Sequence, residues 1–167
     1  MKVRKVSSPI KLTIELVPRT AWFSNVRSMV SREDWDVLRK ECYAQASNRC
    51  EICGGSGSEY PVEAHEVWEY DDQLQVQKLI RLIALCPSCH AVKHIGNAFL
   101  RGVADDALDH FQSVNALTQK ETLKLLKEAF NIWEERSARQ WMCDVSWLDN
   151  KGVHYRPERQ GGAKETE

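Results

Sequence analysis

The sequence predicts an α+β fold, and three observations lead to it. Two Cys-x-x-Cys pairs, Cys50/Cys53 and Cys86/Cys89, frame the middle of the chain. Apolar and polar residues alternate with period two near both ends, as half-buried strands do. Helix-opening signals stand at Ser31 and Thr118. The 167 residues, 43% hydrophobic and 28% charged, are ordinary globular material. We expect one domain over residues 1–155, with a metal core at 48–97 and a helix and strand scaffold at 10–47 and 98–150. Residues 156–167, polar and glycine-containing, are expected to form a disordered tail.

Taken in order, residues 11–17 alternate and stop at Pro18, which predicts an N-terminal strand. Ser31 caps a helix carrying Trp35, Leu38 and Cys42 at helical spacing to about Ser47. After Cys53, the glycines 54, 55 and 57 supply a turn, and residues 62–70 read as a strand. The nearly continuous apolar run 79–85 reads as a buried strand leading to Cys86, and residues 89–94 as a short helix. A helix is expected over 103–114. A longer one opens at Thr118, with Leu125, Ala129, Ile132 and Trp133 as its apolar stripe. Residues 140–148 alternate again, with Trp141, Cys143, Val145 and Trp147 on one face, and predict a C-terminal strand.

No secretory or membrane-spanning apolar segment is read in the sequence, so a cytoplasmic location without a membrane partner is expected. In that reducing setting six cysteines favour metal binding over disulfides. Net charge is −1, so no global field draws the chain to nucleic acid. Residues 1–30 nevertheless hold six basic side chains (Lys2, Arg4, Lys5, Lys11, Arg19, Arg27) against Glu15, an arm able to grip phosphate or simply to stay solvated.

A Cys-x-x-Cys spacer turns two thiolates to the same side, and two such pairs make a tetrahedral set for structural Zn2+. A redox dithiol is the alternative, disfavoured by two matching units. Cys42 and Cys143 lack partner spacing and read as buried small apolar residues. His90 and His94 are four apart, so on a helix they project from one face and can share a second metal. Hydrogen bonding without a metal is the alternative.

The stretch from Cys50-Glu51-Ile52-Cys53-Gly54 through Val62-Glu63-Ala64-His65-Glu66-Val67 to Leu85-Cys86-Pro87-Ser88-Cys89-His90-Ala91-Val92-Lys93-His94 resembles the HNH endonuclease family. The flanks Trp22-Phe23-Ser24-Asn25-Val26-Arg27 and Trp68-Glu69-Tyr70-Asp71-Asp72 resemble its bacterial and phage members. The resemblance implies a ββα-metal core in a treble-clef, four-cysteine zinc frame. It implies a divalent catalytic metal (Mg2+, Mn2+, Ni2+ or Zn2+) held by His65, His90 and His94, and phosphodiester hydrolysis in DNA, with RNA not excluded. The family's base position falls on Glu66, where a histidine is usual, and its central asparagine position on Arg81.

On that reading His65, Glu66, Arg81 and His90 are the candidate catalytic residues. Glu66 accepts the water proton or ligates the metal; Arg81 binds the scissile phosphate or lies on the surface. Lys93, Trp68 and Arg81 are candidate nucleic-acid contacts, Trp68 by stacking, with Tyr70 beside it. Cutting both strands would need a homodimer or two successive nicks. The competing expectation is a catalytically silent zinc module that binds nucleic acid or a protein partner, since the usual base and asparagine are replaced.

Overall fold

The computed structural model describes residues 9–22 and 25–156. The expected tail and the basic residues Lys2, Arg4 and Lys5, like Phe23 and Ser24 of the resembling flank, lie outside the described residues, apart from Arg156. After a 3-10 turn at Arg19–Ala21 come helices α1 (Val26–Met29) and α2 (Arg32–Gln45), then strands β1 (Glu63–Asp71) and β2 (Val76–Leu85). Helices α3 (Pro87–Lys93), α4 (Ile95–Leu100), α5 (Ala104–Asn115) and α6 (Gln119–Ser137) follow, and β3 (Met142–Asp144) leads into a 3-10 turn at Ser146–Asn150. The fold is α+β with one three-stranded sheet in the order β1-β2-β3. No helix among the described residues is long and apolar enough to cross a membrane.

β1 and β2 form an antiparallel hairpin that pairs His65 with Ile83 and Glu66 with Leu82, with a bulge between Val67 and Trp68. Both faces of this hairpin are covered, which is why the end of β2 is apolar without alternation. One face carries Ile83 and Leu85 into a core with Val92, Ile95, Ala107 and Phe111 of α3, α4 and α5. The other carries Leu79, Leu82 and Ala84 into a second core with Val26, Leu38, Cys42 and Leu148. The two faces therefore belong to different neighbourhoods, and alternation along β1 sends successive side chains into different ones.

The helix signals are realised in local bonds. Ser31 accepts from Asp34 N–H, and Thr118 and Glu121 close a reciprocal capping box on α6. The α6 stripe is shifted from the expected one: Leu125, Leu126 and Phe130 pack on the core, while Ile132 is exposed. Trp133 does point inward, donating from Nε1 to Val17 O at 3.0 Å.

Both terminal strands are corrected. Residues 11–17 belong to no strand, and Lys11 and Leu12 lie in a bend. The Asn115 side chain takes the place of a partner, its Oδ1 accepting from Lys11 N and Leu12 N at 2.9 and 3.1 Å and its Nδ2 donating to Leu12 O at 2.9 Å. The period-two pattern here reports packing against a core, with Leu12 fully buried and Ile10, Ile14 and Leu16 beside it, and not a ladder. The C-terminal strand is only Met142–Asp144, parallel to β2. Asp144 Oδ1 then accepts Ser146 N–H at 2.9 Å and starts the 3-10 turn, so a side chain ends the strand. Cys42 is buried, as expected, and burial raises its thiol to about 11. Cys143 is only half-buried.

Candidate metal centres

The first Cys pair sits on a turn set by glycine. Gly54 adopts φ +74°, a conformation that costs other residues more, and the turn closes through Gly54 N–H to Cys50 O at 2.9 Å and Cys50 N–H to Gly55 O at 2.8 Å. Gly57 is required for another reason: a Cβ there would lie 2.2 Å from Tyr60 O and 2.8 Å from the Pro87 ring, so its bareness lets the turn pack on the start of α3. Glu51 fastens the turn to the edge of β2, donating N–H to Ala84 O at 3.0 Å and accepting Ala84 N–H on Oε1 at 2.9 Å. The second pair opens α3, with Pro87 in the first turn where its missing N–H costs nothing.

These two turns bring the sulfurs of Cys50, Cys53, Cys86 and Cys89 within 4.8 Å of one another. Cys53 Sγ and Cys86 Sγ are 3.6 Å apart. Four sulfurs at about 2.3 Å around a tetrahedral zinc stand roughly 3.8 Å apart, so this all-sulfur donor set fits Zn2+. Burial opposes the thiolate form at Cys86 and Cys89. Burial and the neighbouring sulfurs raise the Cys89 thiol, and burial raises Cys86 to about 11. At Cys50 burial is outweighed by the N–H groups of Cys53, Cys86 and Ile52, which hold it down to about 7.

The second cluster lies on the α3 side of the hairpin. His65 from β1 and His90 and His94 from α3 and its cap place one ligand nitrogen each within 4.8 Å of one another. Ring centroids are 5.3 Å apart for His65/His90, 5.0 Å for His65/His94 and 4.6 Å for His90/His94, with planes near perpendicular at 76°, 79° and 85°. Burial, then the neighbouring imidazoles, push His65 down to about 2, and burial with His90 pushes His94 down to about 4. Both rings are therefore neutral near pH 7, as a metal ligand must be. His94 nonetheless keeps part of its surface in solvent, so the cluster opens on its side. Three imidazoles on one divalent ion leave coordination positions for water or substrate.

Two supporting residues escape a reading by motif. Glu63 Oε2 lies 2.7 Å from His90 Nδ1. A carboxylate only accepts, so Nδ1 carries the proton and Nε2 keeps its lone pair for the metal. Position was the signal: Glu63 is two residues before His65 and so shares its face of β1. His110 Nε2 lies 3.2 Å from Cys89 Sγ, and nothing in its spacing announces it.

The remaining expected site residues lie elsewhere. Glu66 is on the opposite face of β1 from His65, with Oε1 accepting Val26 N–H at 2.6 Å and further bonds from Trp68 and Arg27. Neither a base nor a ligand at the histidine cluster is within its reach. Lys93 is buried, its Nζ donating to Thr13 Oγ1 at 2.8 Å and paired with Glu15 at 2.9 Å, and so is withdrawn from phosphate. Arg81 pairs with Glu51 Oε2 at 2.8 Å and braces the cysteine turn. Trp68 packs into the second core. Tyr70 is held between Trp141, at 5.2 Å, and the guanidinium of Arg136, at 4.3 Å, and Asp72 is paired with that same Arg136 at 2.8 Å. Of the basic arm, Arg19 pairs with Glu134 at 3.1 Å.

No protein-family model, curated protein or solved structure matches this chain.

Proposed function

We propose that the chain is a metal-dependent phosphodiester hydrolase of the HNH type, acting on DNA, with RNA the other candidate substrate. The observation that supports it most is the convergence of His65 on β1 with His90 and His94 on α3 and its cap, across the successive elements β1, β2 and α3, beside a four-cysteine frame that fits zinc. A divalent ion held there supplies a Lewis acid for a phosphoryl oxygen and makes water acidic enough to attack near neutral pH. The chain's own part is to hold neutral imidazoles, to fix the His90 tautomer through Glu63 and to leave one side open for substrate. Glu63, the carboxylate on the histidine face, is engaged with the His90 Nδ1 proton and serves to orient that ring.

A second reading, a zinc module that binds a partner without cleaving it, is favoured by one observation: Glu66, Arg81 and Lys93 are all engaged in bonds away from the histidines. Incubation of supercoiled plasmid and of single-stranded RNA with Mg2+, Mn2+, Ni2+ or Zn2+ separates the two. The hydrolase predicts cutting that His90→Ala abolishes, Glu63→Gln weakens and Glu66→Gln leaves in place. Binding without cutting under every ion would establish the module.

A further inference from the structure

Four thiolates outweigh the charge of one divalent ion, so N–H groups aimed at the sulfurs govern how firmly such a cluster keeps its metal. Backbone serves three of them: Cys53 receives Gly55 N–H at 3.4 Å, Cys50 the N–H groups of Cys53, Cys86 and Ile52, and Cys86 that of Cys89. Cys89 is fully buried, and the polar group against its sulfur comes from a side chain: His110 Nε2 on α5, at 3.2 Å. Ala107 and Phe111 seat that stretch of α5 in the core shared with Cys89, so the ring is carried by a fixed helix.

We propose that His110 is a positioning residue of the zinc cluster, donating Nε2–H to the Cys89 thiolate and slowing release of the metal. A thiolate only accepts, which fixes the tautomer with the proton on Nε2. The contact also couples α5 to α3 at the residue that immediately precedes His90, so the cluster's fourth corner and the histidine centre share one support.

The test uses the full-length, zinc-loaded protein. His110→Phe keeps a ring but no donor; His110→Gln keeps an N–H. Zinc transfer to a colorimetric chelator is expected to be about tenfold faster in His110→Phe, with His110→Gln close to the parent. In Co2+-substituted protein, the sulfur-to-metal charge-transfer band is expected to shift in His110→Phe and not in His110→Gln. Unchanged release and spectrum in His110→Phe would overturn the proposal, as would equal changes in both variants, which would mark a packing role. If His110→Phe does not fold, His110→Ala against His110→Gln makes the same comparison.

Discussion

His65 and Glu66 are neighbours in β1 and serve opposite sides of the sheet. The His65 ring stands 5.3 and 5.0 Å from the rings of His90 and His94, while Glu66 Oε1 accepts the N–H of Val26, at the start of α1, at 2.6 Å. One residue thus looks into the histidine cluster and the next ties down the layer behind it. Adjacent polar residues on a strand cannot act on one metal from a regular ladder, because alternation separates them.

Glu66 is therefore predicted to matter for stability and its pH dependence. Burial raises its carboxyl from an ordinary value of 4.5 to about 7, against the lowering effect of its bonds to Val26, Trp68 and Arg27. The folded state holds the proton that the unfolded state has released, so stability falls as pH rises from 4.5 to about 7 and then levels. Glu66→Gln keeps an acceptor oxygen for Val26 and removes that slope. Denaturant unfolding at pH 5 and pH 8 should show the parent losing on the order of 2–3 kcal/mol more than the variant. Parallel losses would refute this placement of the charge.

The two clusters are predicted to separate in their consequences. Cys89 is fully buried within the sulfur set, so Cys89→Ser should cost one zinc and lower Tm steeply, since a structural zinc contributes on the order of 10 kcal/mol to folding. His94 is exposed, and His94→Ala should abolish binding of the second ion with a Tm change of a few degrees at most. Metal content by elemental analysis and thermal melts, read together, check both. A His94→Ala protein that retained both ions would remove His94 from the ligand set.

What the sequence made legible were features encoded locally. A two-residue spacer between cysteines, and a four-residue spacing on a helix, each fix ligand geometry without reference to the rest of the fold, and both clusters form as those spacings imply. The partners of Lys93 and Cys89 were not legible, because Glu15 is 78 residues from Lys93 and His110 is 21 from Cys89, and no local pattern joins them. The supporting carboxylate was an intermediate case: once His65 faces the metal, strand alternation selects Glu63 over Glu66, whereas motif position favoured Glu66. The N-terminal segment misled because alternation marks a chain that packs every second residue on a core, and Asn115 can satisfy the backbone of such a chain as well as a strand can.

Lys93 lies between the two helical histidines and still faces the other way, onto Thr13 and Glu15. Its ammonium is buried and held by two oxygens, so Lys93→Met leaves the ligands in place and removes an anchor of the segment that carries Thr13 and Glu15. The expected loss is about 1–3 kcal/mol of stability, because the packed aliphatic stem is kept while the charged hydrogen bonds go. Nucleic-acid affinity, measured by fluorescence anisotropy at two salt concentrations, should be unchanged in magnitude and in salt slope. A shallower salt slope in Lys93→Met would mean that the ammonium does reach phosphate.

Glu63 gives the sharpest test of the histidine centre, since it touches the cluster without being one of its three ligands. Its bond to His90 Nδ1, at 2.7 Å, orients the ring, fixes its tautomer and makes Nε2 a better donor. Glu63→Gln keeps the size and can still accept the Nδ1 proton, but loses the charge that polarises the imidazole. Affinity for the second ion should fall by about 10- to 100-fold, as removal of such partners does at histidine–metal sites. Zinc in the cysteine cluster should be retained, because Glu63 makes no contact with the sulfurs that hold it. Calorimetric titration of Ni2+ or Zn2+ into protein already loaded at the cysteine site reads the first effect, and elemental analysis the second. Wild-type affinity in Glu63→Gln would show that His90 is oriented by its helix alone; loss of both ions would show that the two clusters are not independent.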